Sequence, residues 1–293
     1  MTHGLLEVVR PGALTTVQDA GRPGHAHLGV PRSGALDQPA YRLANRLVGN
    51  RPEAAVLETT LDGCAVRPHR TVWAAVTGAP CPVTVDGRPA PWGAAVRVSA
   101  GALLEAGPAA CGVRSYVAFA GGIDVEPELG SRATDRLSGL GPPPPAAGDT
   151  LALGPPPALR PAPIDTVPHG APPINLVLRI TPGPRADWFT PAAARTLTTA
   201  RYVVSAGDRV GLRLHGPALT RRTTAELPSE GVVLGAVQVP PDGRPLVFLA
   251  DHPVTGGYPV IAVVDRRDLP AAAQAAAGIP VAFVQSSSWG QRY

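Results

Sequence analysis

Residues 235–259 read GAVQVPPDGRPLVFLADHPVTGGYP, and this stretch combines two apolar runs with many turn residues. The run over 246–250 has the length of a strand, and Asp251 and the TGGY turn at 255–258 end it abruptly. Such a strand delivers a carboxylate, a hydroxyl and backbone amides to one end of a sheet. Paired glycines admit a ligand close to the backbone, and successive amides can bind an anion. The alternative is a simple hairpin reversal, because glycine-rich turns are common.

Short apolar runs bounded by glycine and proline recur along the rest of the chain and are typical of strands. They cover residues 5–9, 71–76, 82–85, 94–98, 114–118, 176–180, 232–239, 245–250, 260–264 and 281–284. Two segments are predicted to be helical: one begins at the cap Asp37, and one begins at the cap Asp268 and ends at Gly278. A short third helix is expected after Thr190. This pattern favours a mainly β fold of the barrel or sandwich type over a parallel α/β sheet.

The length of the chain and one change in its composition predict two lobes. A chain of 293 residues is long for a single core, although β-rich domains can reach this size. Between residues 142 and 173 the prolines are so frequent that interior sheet and helix are excluded. We therefore predict an N-terminal β lobe over 1–160, ending in a proline-rich crossing, and a C-terminal β lobe over 174–293.

Composition disfavours several classes of function. The net charge is +4, but the arginines are spread along the chain without stacking aromatics, which argues against nucleic-acid binding. No apolar stretch is long enough to cross a bilayer and no signal peptide is evident, so we expect no membrane association and a cytoplasmic location. The three cysteines lack CxxC spacing and are expected to be buried, reduced thiols. His25 and His27 lack a third ligand, so no metal site is predicted.

The chain contains no lysine, because all 26 residues counted as lysine or arginine are arginine. Codon bias in a GC-rich genome accounts for this composition, but its chemical consequence stands. It excludes a Schiff-base lysine, a P-loop lysine and a biotin-carrying lysine on this chain. A phosphate or carboxylate must therefore be held by backbone amides or by arginine, whose planar guanidinium pairs with two oxygens at once.

Several strings, spread over nearly the whole chain, together resemble one family. They are TTVQDAGRPGHAHLGVPRSGALDQPAYRLANRLVGN from Thr15, AVLETTLDG from Ala55, YVAFAGGIDVEPELGSRATD from Tyr116, TPGPRADWF from Thr181, GDRVGLRL from Gly207, and SEGVVLGAVQVPPDG from Ser229, followed by LADHPVTGGYP. This ordered set resembles the biotin-dependent carboxyltransferase family, also called allophanate hydrolase subunit 2, whose free-standing bacterial members include the C subunit of 5-oxoprolinase. The set is more specific for the family than for the reaction.

The resemblance implies a two-lobed, cyclophilin-like β-barrel architecture with few short helices. It also implies partners, namely the A and B subunits of 5-oxoprolinase, the second of which is related to allophanate hydrolase subunit 1. Together they would open 5-oxo-L-proline to L-glutamate with ATP, and with Mg²⁺ at the level of the complex. Two alternatives remain: a carboxyltransferase component that acts on a urea-like amide with carboxybiotin not attached to this chain, and a noncatalytic regulatory binding subunit.

A cyclic amide resists water, so the protein must activate it and stabilise negative oxygens, which oriented dipoles and guanidinium groups do well. The candidate catalytic residues are Asp251 as base or orienter, with Gln238 and Tyr258 as orienting groups. The candidate substrate-binding and anion-binding residues are Arg22, Arg209, Arg213, Thr255, Gly256 and Gly257. On this hypothesis Asp251→Asn abolishes turnover and leaves assembly intact.

Structural roles compete with these assignments. Asp19 and Asp208 can pair with nearby arginines and stabilise turns, and Glu58 and Glu230 are more readily explained as partners of arginine than as catalytic acids. Residues 252–254 also depart from the family pattern, which has Arg-Gln-Thr where this chain has His-Pro-Val. This loop has lost a guanidinium, which points to a changed substrate preference or to reduced catalysis.

Overall fold

A computed structural model describes residues 4–158, 171–223 and 225–286. The chain divides into two compact units. The first consists of Met1–Arg22 and Ser33–Pro172, and the second of Pro23–Arg32 and Pro173–Tyr293. Residues 23–32 were predicted to lie in the N-terminal lobe, but they group with the second unit. A short segment between glycines and prolines carries no signal of its tertiary neighbours.

The first unit contains two antiparallel sheets. Its strands are β1 (Gly4–Arg10), β2 (Leu14–Gln18), β3 (Val56–Thr60), β4 (Cys64–Pro68), β5 (Val72–Gly78), β6 (Val83–Val85), β7 (Arg88–Ala90), β8 (Ala95–Val98), β9 (Leu104–Ala106), β10 (Arg114–Phe119) and β11 (Thr150–Leu153). Six strands pair in the order β11-β1-β4-β9-β6-β7, and five pair in the order β2-β3-β10-β5-β8. Leu6 of one sheet and Val76 of the other belong to the same buried core.

The helix of this unit, α1 (Gln38–Leu47), begins where the sequence predicts it. The Asp37 carboxylate accepts a hydrogen bond from the Ala40 N–H at 3.1 Å, and Pro39 occupies the first turn, where its missing N–H costs nothing. Leu43 and Leu47 lie on the buried face of the helix, which contacts β5 and β10. These local signals suffice to define the helix.

One edge strand lies inside the segment that was predicted to be a proline-rich crossing without interior sheet or helix. Residues Thr150–Leu153 form β11, which pairs with β1 through Leu6↔Leu151 and is the edge strand of the six-stranded sheet. The four residues TLAL contain no proline, so each can supply a backbone N–H to a ladder. Residues 159–170 of the proposed crossing lie outside the described residues.

The second unit contains a closed seven-stranded barrel in the order β12-β19-β16-β17-β14-β13-β20. Its strands, with the separate pair β15–β18, are β12 (Leu176–Pro182), β13 (Tyr202–Gly207), β14 (Gly211–His215), β15 (Glu230–Gly231), β16 (Ala236–Gln238), β17 (Leu246–Phe248), β18 (Thr255–Gly256), β19 (Val260–Val264) and β20 (Pro280–Gln285). All pairings are antiparallel except β12–β20. The prediction of a mainly β fold with a barrel and few short helices is confirmed.

In the described part of the second unit there are two α-helices, and only one was predicted with the correct extent. Helix α2 (Pro191–Thr199) is capped by the Thr190 hydroxyl, which accepts from the Ala193 N–H at 3.1 Å. Helix α3 covers only Leu269–Ala273, so the expected continuation towards Gly278 is wrong. Asp268 does not cap it, because its carboxylate is occupied by the backbone N–H and guanidinium of Arg179. No helix within the described ranges is long and apolar enough to span a membrane.

The cysteines differ in burial, which corrects the expectation that all three are buried. Cys64 and Cys81 are buried, whereas Cys111 is exposed, and all three are free thiols. Burial raises the pKa of the Cys64 thiol to about 12 and also raises the pKa of Cys81. The thiolate is the reactive form, so the two buried thiols are protected both by access and by protonation.

We therefore predict that one thiol per chain reacts rapidly with a disulfide reagent at pH 8 in the folded protein. All three should react after unfolding in guanidinium chloride. Cys111→Ser should abolish the rapid phase and leave the slow one unchanged. A second rapid equivalent in the native wild-type protein would contradict the burial of Cys64 and Cys81.

Candidate functional site

A cleft of about 670 Å³ opens in the second unit beside the glycine turn that follows β18. The residues that line it include Leu219, Arg221, Glu226, Asp242, Gly257 and Tyr258. It therefore combines an arginine, two carboxylates, a phenol and exposed backbone. A mixed lining of this kind suits a small ligand that has both hydrogen-bond donors and acceptors.

The turn is held in place by two neighbouring elements. Strand β18 pairs with β15 through Glu230↔Gly256, and β16 places Gln238 beneath the turn. Gln238 is buried, and its Nε2 donates a hydrogen bond to the Tyr258 carbonyl at 3.0 Å. The predicted orienting residues Gln238 and Tyr258 are thus brought together, but Gln238 acts on the backbone of the turn.

Gly256 is required by the close approach of Gln238. It does not adopt a left-handed φ, so its backbone conformation alone does not demand glycine. A Cβ built at Gly256 would lie 2.8 Å from Gln238 Nε2, and one built at Gly257 would lie 3.3 Å from the Leu227 carbonyl oxygen. The first contact is shorter than normal van der Waals separation, so a side chain would displace the amide that holds Tyr258.

Gly256→Ala should therefore destabilise the protein by about 1–3 kcal/mol, the usual range for forced overpacking, because the added methyl group meets the buried Gln238 side chain. Gly231→Ala is the matched control, because Gly231 lies in the same two-stranded pairing and a Cβ there meets no atom within 4 Å. The measurement is the thermal unfolding midpoint of both variants. Equal midpoints would mean that Gln238 moves aside without cost.

Two consecutive amides of the turn are available to a ligand. Within the described part of the chain, neither the Gly257 nor the Tyr258 backbone N–H donates a hydrogen bond. The side chain of Tyr258 is 46% exposed, and Arg221 lines the same cleft. Successive amides, a phenol and a guanidinium form an arrangement that can bind a carboxylate or stabilise a developing oxyanion.

The arginine in this cleft, Arg221, is not among the predicted site residues. Arg221 Nη2 donates to the Val239 carbonyl, its Nε has no hydrogen-bond partner among the described residues, and it forms no ion pair with them. Arg221, Asp242 and Glu226 were all missed, because they lie on loops whose residues show neither helical nor strand periodicity. The PPDG turn at 240–243 was the available signal, because it lies in a string that carries the family resemblance.

Two predicted site residues form a buried ion pair with each other. Arg209 donates through Nε to Asp251 Oδ2 at 2.7 Å and through Nη2 to Oδ1 at 3.0 Å. The side chains are only 6% and 2% exposed, respectively. His252 is buried next to this pair, and desolvation lowers its pKa. A carboxylate bound at both oxygens by a guanidinium is a poor base, and this geometry indicates a structural role.

The other predicted anion-binding residues lie elsewhere. Arg213 is exposed on β14 and lines a smaller cavity of about 140 Å³ with Arg244 and Ser205. Thr255 is exposed in β18. Arg22 belongs to the first unit and is almost fully buried.

The predicted structural roles of the carboxylates are largely confirmed. Glu230 pairs with Arg185, whose Nε donates at 2.9 Å and whose proximity lowers the pKa of that carboxyl. Glu58 forms a buried ion pair with Arg114 at 3.7 Å.

The two aspartates near the predicted arginines stabilise turns. Asp208 accepts from the Val210 and Gly211 amides, at 2.8 and 2.9 Å respectively. Asp19 accepts from Gly21 N at 2.8 Å, so it also closes a turn, but it does not form the expected ion pair with an arginine side chain among the described residues.

Comparison with known proteins identifies relatives over almost the whole chain. The family model for the carboxyltransferase domain, subdomains A and B, matches residues 28–285. The C subunit of the 5-oxoprolinase of Escherichia coli (strain K12) is 38% identical over 297 residues, which cover 97% of this chain and 92% of that protein.

Solved structures show the same fold. The crystal structure of TTHA0988 has a TM-score of 0.87 and 41% identity, and the match covers 97% of this chain and 56% of that chain. The urea amidolyase of K. lactis has a TM-score of 0.90 and 30% identity, over 98% of this chain and 19% of that one. This chain therefore spans about half of the first structure and about a fifth of the second.

Proposed function

This chain belongs to the carboxyltransferase-domain family, and on that premise we propose that it is one component of a cytoplasmic ATP-dependent 5-oxoprolinase. The assembly opens 5-oxo-L-proline to L-glutamate together with the A and B subunits of that enzyme. The observation that carries the proposal is the match to the free-standing C subunit of a 5-oxoprolinase, along 92% of its length. The urea amidolyase match covers only 19% of a much longer chain.

The cleft supports this proposal chemically. Amide resonance makes the lactam carbonyl a poor electrophile. In the proposed reaction ATP would phosphorylate the lactam oxygen and water would add to the activated carbon. The C–N bond would then break, with the proton going to nitrogen, and hydrolysis of the acyl phosphate would release glutamate and phosphate. The substrate carries a carboxylate, a lactam carbonyl and a lactam N–H. Arg221 and the Gly257 and Tyr258 amides offer donors for the first two, and Asp242 or Glu226 offers an acceptor for the third.

In this role the chain contributes binding and electrostatic stabilisation within a site that the partner subunits complete. Donors that are fixed before the reaction stabilise charge without reorganising during it, and this contribution is often the largest in catalysis. Gln238 is a positioning residue, because it contacts the Tyr258 carbonyl and fixes the two amides. ATP and Mg²⁺ belong to the complete assembly in this proposal.

The test is co-purification of the chain with both partner subunits, followed by measurement of ATP hydrolysis with and without 5-oxoproline. We expect ATP hydrolysis to depend on 5-oxoproline, and the amount of glutamate formed to equal the amount of ATP hydrolysed. Equal hydrolysis with and without 5-oxoproline would refute the assignment.

A carboxyltransferase acting on a urea-like amide is the second candidate, favoured by the fold similarity to urea amidolyase. Such an enzyme needs carboxybiotin from another chain, because this chain has no lysine to carry biotin. The same reconstituted complex distinguishes the two: urea-dependent consumption of carboxybiotin without glutamate formation would favour the carboxyltransferase.

A further inference from the structure

Arg22 is a buried cation that has no ion-pair partner in the described part of the chain. Its side chain is 1% exposed, its Nη2 donates to the Ala133 carbonyl at 2.5 Å, and its Nε donates to the Glu128 carbonyl at 3.3 Å. Among the described residues it forms no ion pair with a carboxylate. Burying a guanidinium is costly unless an anion compensates it, so this arrangement is anomalous.

The nearby carboxylates are occupied by other donors. Asp19 accepts from the Ser131 hydroxyl and from the Arg132 N–H, both at 2.6 Å. Asp135 accepts from the Ser138 hydroxyl at 2.5 Å and from the Leu137 N–H at 2.9 Å. Both aspartates thus stabilise the covering loop, and neither forms an ion pair with the guanidinium.

Three buried polar atoms in this region have no hydrogen-bond partner among the described residues: Arg22 Nη1, Thr134 Oγ1 and Gln18 Oε1. Their residues meet at the peptide that joins Ala133 to Thr134. Gln18 Nε2 donates to the Thr134 carbonyl at 2.9 Å, and Arg22 contacts the preceding carbonyl. Buried polar atoms are almost always satisfied, so three exceptions around one peptide indicate that water or a small ligand completes their hydrogen bonds.

The segment that covers these atoms is the loop 128–141, which we call the strap. The Thr134 N–H donates a hydrogen bond to the Val17 carbonyl at 2.9 Å, which attaches the strap to β2. The Gly141 N–H donates to Glu128 Oε2 at 2.6 Å, which joins the two ends of the strap. Its residues 128–130 and 136–139 are exposed. The ends and outer face of the strap are therefore exposed, while the hydrogen bonds of Asp19, Gln18 and Arg22 hold its buried middle, so a ligand reaches these atoms only when the strap opens locally.

We propose that Arg22, Thr134 and Gln18 form an interior site for a phosphate-type oxyanion, which enters when the strap lifts. Its unprotonated oxygens accept from Arg22 Nη1 and the Thr134 hydroxyl. A P–OH group donates to Gln18 Oε1, which a carboxylate without a proton cannot do. The site goes beyond the proposed reaction and does not depend on it, because binding requires neither nucleotide nor partner subunits.

Calorimetric titration of the full chain with inorganic phosphate tests the site, and acetate serves as the comparison ligand. Wild-type protein should bind phosphate at least threefold more tightly than acetate, and saturating phosphate should raise the thermal midpoint by about 5 °C. Arg22→Met should weaken phosphate binding at least tenfold. Arg136→Met is the matched control, since Arg136 is an exposed arginine of the same strap. The phosphate affinity of this variant should equal that of the wild-type protein.

Thr134→Val provides a second variant that keeps the fold intact, because the Thr134 hydroxyl makes no hydrogen bond that the substitution could break. It should retain the wild-type midpoint without phosphate and lose at least threefold in phosphate affinity. The general salting-out effect of phosphate acts on all variants equally and cancels in the comparison. The proposal is overturned if wild-type protein does not bind phosphate, or if Arg22→Met and Thr134→Val bind it as wild type does.

Discussion

Asp251→Asn is expected to lower the free energy of unfolding by about 3–5 kcal/mol, because it leaves the Arg209 guanidinium buried without its counter-charge. The pair is bidentate and almost completely excluded from solvent. Denaturant unfolding of the isolated chain measures the effect. This outcome replaces the expectation that the substitution abolishes turnover while leaving assembly intact.

Two comparisons make the measurement decisive. Glu7→Gln breaks the half-exposed Arg67–Glu7 pair and should cost at most about 1 kcal/mol. The double variant Arg209→Met/Asp251→Leu removes both charges and should recover much of the lost stability, since apolar replacements of a buried pair are often neutral. An Asp251→Asn variant with wild-type stability and no turnover in the complex would restore Asp251 as a catalytic candidate.

Arg221→Met is expected to lower kcat/KM for 5-oxoproline in the reconstituted complex by about 100-fold, which is typical for loss of one oriented donor at a developing negative charge. The effect follows from the proposed function and from the position of Arg221 in the cleft. If Arg221 binds the substrate carboxylate equally in the ground state and the transition state, the loss will be in KM alone.

Arg201→Met is the control for this prediction, because Arg201 is an exposed arginine of the same unit that does not line the cleft. Its kcat/KM should stay within about twofold of wild type. Thermal unfolding of Arg221→Met must also be measured, since the variant loses a bond to the Val239 carbonyl. Wild-type kcat/KM in a folded Arg221→Met complex would exclude a role for Arg221 in binding substrate.

Local signals in the sequence predicted the elements that local interactions determine. Helix α1 was predicted because its cap Asp37 and its apolar face lie within twelve residues. Helix α3 ends at Ala273 rather than near Gly278, and its predicted cap Asp268 instead binds Arg179, 89 residues away, a contact that no local signal reveals. Barrel closure depends in the same way on the β12–β20 pairing between distant segments, which no periodicity within either strand can reveal.

The site was predicted only in part, because sequence patterns report contacts between neighbouring residues and not between distant ones. Gln238, Gly256 and Tyr258 lie within one stretch of 25 residues, and their proximity follows from the neighbouring strands. Arg209 and Asp251 are 42 residues apart, so their mutual pairing was invisible, and each was interpreted as a functional group. Arg213 could have been placed correctly, because alternation with the buried Leu212 and Leu214 directs its side chain out of the barrel.

The most direct test of the central claim is a crystal structure of the complete complex with 5-oxoproline bound. We predict that the ligand lies in the cleft beside Tyr258, with an oxygen within hydrogen-bond distance of the Gly257 or Tyr258 amide or of Arg221. An empty cleft in crystals whose complex binds 5-oxoproline at another position would contradict the account.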